Sequence, residues 1–369
     1  MEAGAKKITI RILVVGAFLV VISLGVSLAY LLWHPSSTRK GMPDELRVAR
    51  IVSGGDRFSK SVFYRDPYLN VITDIKDAPK GDLLIAGERG AAFVTEQGSL
   101  KRSLHFEGCM SNVTAVDIEG GAFLCRGGWA MGTMLFGSDG RTLWSYNGGA
   151  NGIDDAAAGI LGPGDLERVV VGFNGSGGVR LLTADGKELW RREDDGNVWH
   201  VEIATTDKEP KQVILHSDVT GQLTMRDANG NVLGRYRPEI YLSRFSLTDW
   251  NSDLRRNKLV AARERFIYVM SMEGSTVARL PAPGNVGSPD VTGTQVQFSA
   301  GPGYASLLRH FLWNRSLLYI YDSQNRLVYH EVLDDACSAL HAVAIKDAMQ
   351  DLLVGCKGVV WKYSSANKP

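Results

Sequence analysis

Net charge is what this chain lacks most. Beyond its first 40 residues it carries 36 Lys and Arg against 39 Asp and Glu, so composition supplies no basic face for nucleic acid. No zinc-finger spacing or arginine-rich arm supplies one either. A phosphate loop is missing too: the glycine-rich stretch at residues 172–178 runs straight into another apolar segment, where a nucleotide site needs a helix.

Charge is also absent from residues 12–33, a run of 22 positions broken only by Gly16, Ser23, Gly25, Ser27, Tyr30 and Trp33. At about 1.5 Å per residue such a helix reaches about 33 Å, enough to cross a hydrocarbon layer about 30 Å thick. Lys6, Lys7 and Arg11 precede the run closely, whereas Arg39 and Lys40 follow a short polar stretch. This bias puts the N-terminus in the cytoplasm and the rest outside it. The expected plan is a cytoplasmic tail at 1–11, a transmembrane anchor at 12–33, a linker at 34–45 and one domain at 46–369. A cleaved signal peptide ending at Ser27-Leu28-Ala29 is the rival, although its apolar region normally runs to about 7–15 residues.

What fills the remainder is a repeat. Thr183-Ala184-Asp185-Gly186-Lys187-Glu188-Leu189-Trp190 has relatives ending in Leu143-Trp144 and Val232-Leu233, and the turn glycines Gly98, Gly140, Gly186, Gly230 and Gly274 are 42, 46, 44 and 44 residues apart. That period holds four short strands, one propeller blade, whose two apolar faces are buried only by stacking on neighbours around a ring. The fold class is therefore all-β, a β-propeller of seven blades, with six or eight within the tolerance of the count. In a sixth repeat Asn325 stands in for the turn glycine. The last repeat offers only three strands, ending at 359–363, while residues 47–52 and 60–64 stand unassigned at the other end. One of those two segments is expected to pair with 359–363 and close the ring, leaving fewer exposed sheet edges. Residues 285–308 read as a long loop.

The four cysteines occupy matching places in two repeats. Cys109 and Cys125 are 16 residues apart, Cys337 and Cys356 are 19 apart, and each pair flanks a short hairpin. Two disulfides are expected, in keeping with an oxidising compartment. Trp144, Trp190 and Trp361 are read as wedge-filling side chains at comparable repeat positions.

Residues 135–144 and 182–190 resemble the repeats of quinoprotein-like propellers, and residues 73–87 are similar to the strand entries of FG-GAP or VCBS-type propellers; the resemblance covers roughly residues 70–363. The first resemblance implies either a quinone-dependent dehydrogenase, with a calcium ion, adjacent cysteines and a catalytic aspartate, or a non-enzymatic binding protein. This chain has no adjacent cysteines, so the resemblance implies the non-enzymatic kind, with no cofactor. The second implies calcium loops of alternating Asp and Asn. Here Ile75, Lys76, Ala78 and Lys80 interrupt Asp74, Asp77 and Asp82, and Leu254-Arg255-Arg256 follows Asp249-Trp250-Asn251-Ser252-Asp253, too few oxygens for the roughly six to eight that calcium takes. No metal is expected.

Propellers bind at one end of the central channel, where the innermost strands begin. Those places bring together Asp154, Asp155, Trp199, His200, Arg244, Asp290 and His341 as candidate binding residues; no catalytic set is recognisable. A deep polar pocket there favours a small ligand, a broad apolar patch a protein. The expected function is a membrane-anchored extracytoplasmic binding module or scaffold without catalysis, whose partner is a protein or an extracytoplasmic polymer. The alternative is a quinone-dependent or carbohydrate-active enzyme using the channel face.

Overall fold

The computed structural model describes residues 42–366 apart from 79–80, 110–112, 117–120, 127–131, 150–151, 165, 252 and 346–348. The expected tail, the span at 12–33 and most of the linker lie outside the described residues. Among those described, no helix is long and apolar enough to cross a membrane. The chain divides into two compact units, residues 1–47 and 48–369. The described part of the first contains one 3-10 turn, Asp44–Leu46.

The second unit is built from seven antiparallel sheets, five of four strands in plain sequence order and two completed from the N-terminal side. Their first strands, Ile72–Asp77, Val113–Val116, Ile153–Ile160, Val198–Thr205, Ser246–Trp250, Asp290–Phe298 and Ala339–Ala344, stand side by side around the channel, and the last of them returns to the first. This is a closed seven-bladed propeller. Second and third strands are apolar on both faces because both are covered: Val169 and Val171 of blade 3 pack with Leu124 and Leu135 of blade 2, and Leu215 of blade 4 packs with Leu259 of blade 5. Fourth strands alternate instead, as in Glu188–Arg192, with only Trp190 and Arg192 facing inward in part.

The turn between third and fourth strands explains the glycine ruler. In blade 3 the Gly186 N–H donates to Thr183 O at 3.0 Å and the Thr183 N–H to Lys187 O at 2.9 Å, which requires a left-handed residue at 186, with φ +81°. Blade 6 has the same pair of bonds around Asn325, at φ +62°. Asparagine is among the few side-chain-bearing residues that tolerate this region. The Trp144 and Trp190 indole N–H groups donate across the blade boundary to Ala184 O and Ala228 O, at 2.7 and 2.9 Å. Trp361 also packs against a core shared by two blades, 6 and 7, but from a different repeat position. It lies on the third strand of blade 7, Val359–Ser365, where Lys60 Nζ sits 4.5 Å above its ring.

Ring closure uses both N-terminal segments. Phe58–Arg65 pairs antiparallel with Val359–Ser365 as the fourth strand of blade 7, and Arg50–Ser53 adds a fifth strand to Leu327–Leu333 of blade 6. Glu331, buried between them, accepts Lys60 Nζ at 2.6 Å and the hydroxyls of Tyr329 and Tyr363 at 2.7 and 2.8 Å. The two disulfides, Cys109–Cys125 and Cys337–Cys356, fasten the entries of blades 2 and 7. Residues 285–308 are corrected: they contain Asp290–Phe298 and most of Gly301–His310, the first two strands of blade 6. Polar Thr292, Thr294, Gln295 and Gln297 had masked the alternation that buries Val291, Gly293, Val296 and Phe298.

Candidate binding site: the channel mouth

Where the innermost strands begin, six of the seven blades surround a cavity of about 220 Å³. Blade 1 gives Asp74, blade 2 Arg126, blade 4 His200 and Glu202, blade 5 Arg244 and Arg256, blade 6 Asp290 and Arg309, and blade 7 Ser338. The wall is thus mainly guanidinium and carboxylate.

Its most ordered part ties three blades together. Arg126 donates from Nε and Nη2 to the two Asp155 oxygens at 2.9 and 3.0 Å, and from Nη2 to Glu202 Oε1 at 3.0 Å and Val201 O at 3.2 Å. Asp155 also accepts the Val201 N–H at 3.2 Å. His200 Nδ1 lies 2.5 Å from Asp155 Oδ2, its Nε2 lies 3.6 Å from Glu202 Oε1, and its ring meets Phe245 edge-on at 4.6 Å. Burial by itself raises the Asp155 carboxyl, but the charges of Arg126 and His200 outweigh it and hold the group well below the usual carboxylate range. For Arg126, burial is likewise outweighed by Asp155 and Glu202, which hold its pKa above the usual guanidinium value. A carboxylate locked in its charged form is a poor general acid or base.

The same device recurs around the ring. Asp74 of blade 1 accepts the Ala115 N–H of blade 2 at 3.0 Å, and Asp249 of blade 5 accepts the Gln295 N–H of blade 6 at 3.1 Å. Aspartates 74, 155 and 249 therefore bind an inner strand to its successor, a role that accounts for acids which otherwise resemble calcium or catalytic candidates. No group of His, Cys, Asp and Glu arranged to hold a metal occurs among the described residues.

Of the seven candidates read from strand starts, His200, Arg244 and Asp290 line the cavity, and Asp155 lies directly behind Arg126. Arg244 Nε is 4.0 Å from Asp290 Oδ1, and both side chains are close to half exposed. Asp154 is not part of the cavity wall and accepts from Asn174 Nδ2 at 3.3 and 3.4 Å; burial raises its pKa against the opposing effect of Asn174 and Arg244. Trp199 stands edge-on to Tyr241 at 6.3 Å, outside the cavity wall. His341 is elsewhere: its Nε2 is 3.1 Å from Asp77, the last residue of its strand and so toward the other end of the channel. Sequence reading missed Arg126, Glu202, Arg256 and Arg309. Pairing register was the available signal, since Val113 faces Cys125 and Asp290 faces Arg309, so the ends of second strands share the mouth with the starts of first strands.

No protein-family model matches the chain, and no curated protein matches it in sequence. Among solved structures it is similar in fold to virginiamycin B lyase from Staphylococcus aureus, with a TM-score of 0.57 at 12% identity over 83% of this chain and 99% of that one. BBS1N, in a crystal structure in complex with ARL6DN, gives a TM-score of 0.56 at 13% identity over 84% of this chain and 97% of that one. One of these neighbours is an enzyme and the other holds a protein partner. At such identities the likeness establishes the β-propeller fold and neither a quinoprotein-like nor an FG-GAP relationship.

Proposed function

We propose that this chain is a non-catalytic binding module, anchored through residues 12–33 with its propeller on the extracytoplasmic side, which receives a protein partner at the channel mouth. One observation carries the reading: Asp155, the acid of the titratable pair at the mouth, accepts from Arg126 of blade 2 and the Val201 N–H of blade 4 and so helps hold three blades together, with His200 Nδ1 2.5 Å from it, while Arg244 and Arg256 remain solvent-accessible at the opening. The acid best suited to chemistry is thus spent on structure, and the accessible guanidinium groups suit recognition. Two disulfides are in keeping with an oxidising compartment. The rival, turnover on the channel face, rests on His200 forming part of the cavity wall.

A photoreactive amino acid placed at Tyr241, beside the mouth, and at Ile345, beyond the inner strand of blade 7, separates these readings in the cells that make the chain. A discrete protein adduct from position 241 and none from 345 is expected. Adducts from neither position, or from 345 alone, would refute the proposed binding end. Quinone copurifying with the chain, or turnover lost on His200→Ala, would establish the enzyme instead.

A further inference from the structure

The mouth cavity has a neighbour of different character. A second cavity of about 220 Å³ shares Asp290 and Arg309 with it and is walled by Val286, Pro289, His310, Leu312 and Trp313. Leu312 is 77% exposed, more than any other large apolar side chain among the described residues. Its position follows from the backbone. The 3-10 turn Phe311–Trp313 ends at Asn314 in the left-handed region, φ +50°, and turns the chain from the second to the third strand of blade 6 at the mouth end. Beneath it His310, only 5% exposed, contacts the Trp313 ring at 5.4 Å, and its Nε2 has no partner among the described residues. Burial lowers His310 to about 4, so at neutral pH its ring is uncharged beneath the apolar shelf.

An opening with accessible guanidinium groups beside an apolar shelf narrows the class of occupant. Guanidinium groups pair bidentately with carboxylates, and Arg244 and Arg256 each have exposed surface at the opening. An aliphatic shelf made of Val286, Pro289 and Leu312 suits a large apolar side chain better than a sugar ring. A nucleic acid would need a basic surface that this chain lacks.

We propose that the mouth recognises an acidic peptide segment of a protein partner, one Asp or Glu side chain entering the cavity at Arg244 while an adjacent large apolar side chain covers Leu312 and Trp313. The inference rests on the binding reading above and specifies its chemistry. Arg and aromatic anchors surrounded by near-neutral contacts are the usual makeup of such an interface.

The test pans a phage-displayed random heptapeptide library against the full-length protein in detergent micelles, beside Arg244→Glu and Leu312→Asp. Both positions are exposed, and matching thermal unfolding of the variants guards against misfolding. Enriched peptides should carry Asp or Glu next to Leu, Phe or Trp. Each substitution should weaken a selected peptide by about tenfold or more, and replacing the peptide's acid by its amide should do the same. Enriched peptides without an acid, binding indifferent to both substitutions, or no enrichment at all would overturn the inference. If the peptides fail while the photoreactive group at Tyr241 still gives a discrete adduct, only the acidic-peptide chemistry falls. If both fail, the binding reading falls with it.

Discussion

Removing Asp155 tests whether the polar cluster at the mouth is structural. Asp155→Ala deletes the acceptor of two Arg126 hydrogen bonds and one from the Val201 N–H, and leaves a guanidinium only 16% exposed with Glu202 as its remaining carboxylate. Breaking a buried pair from one side costs about 3–5 kcal/mol, because the surviving charge stays desolvated. Glu202 keeps part of the compensation, so the lower end of that range is expected. Arg126→Leu with Asp155→Leu removes both charges at once, and apolar replacement of a whole buried pair is often nearly neutral. The double variant should therefore lose well under the sum of what Arg126→Leu and Asp155→Leu lose singly, a coupling of about 2 kcal/mol or more in a double-mutant cycle. Equilibrium urea unfolding with tryptophan fluorescence provides the assay. A single Asp155→Ala loss under about 1 kcal/mol, or strict additivity in the cycle, would refute the structural assignment and return Asp155 to the list of groups held for chemistry.

Three further outcomes follow from other parts of the ring. Gly186→Ala places a Cβ at φ +81° and 2.8 Å from the Trp144 ring, so it should cost more than the roughly 1–3 kcal/mol of backbone strain alone; an unchanged urea midpoint would contradict the turn assignment. Burial lowers His310 and, with Arg50 adding, His330 to about 4, below the roughly 6.5 of an unfolded chain. The unfolded state then binds more protons between those values, so stability is full above about pH 6.5 and falls toward pH 4. His310→Phe with His330→Phe should flatten the decline in urea midpoint between pH 7.5 and 5, and an equally steep decline would count against the buried-neutral state. Finally, alkaline carbonate should leave the full-length chain in the membrane, with no free thiol after denaturation; a mature mass lacking the first 29 residues would refute the anchor.

Much of the fold was legible because the burial problem has a period. The glycine spacing marks one hairpin per blade, and Asn325 keeps the count where glycine fails, since its φ of +62° meets the same demand. Closure was legible in outline: a last repeat of three strands and a spare N-terminal segment must meet. The fifth strand Arg50–Ser53 was not, because all four of its residues are exposed, and such a segment carries no burial pattern to read. The first two strands of blade 6 escaped notice for a related reason. Its first strands are long, nine and ten residues, and Thr and Gln on the partly exposed positions dilute the alternation. Trp361 was grouped with Trp144 and Trp190 by residue type alone, although its own segment already reads as the last strand of a three-strand repeat.

The site was less legible, and the cause lies in how a ring assembles its mouth. Strand starts point to Arg244 and Asp290 directly, but Arg126 and Arg309 come from strand ends and enter only through the register that sets Cys125 against Val113 and Arg309 against Asp290. The acids mislead in the opposite direction. Asp74, Asp155 and Asp249 sit where binding or catalytic carboxylates would, yet each accepts a backbone N–H from the following blade, a bond between residues 41 to 46 positions apart. No local pattern announces such a partner. An inner-strand carboxylate in a propeller is therefore first a candidate tie between blades, and it becomes evidence of function only when the neighbouring strand leaves it unclaimed. By that criterion the recognition chemistry we propose for this mouth is assigned to its accessible arginines and the apolar shelf beside them.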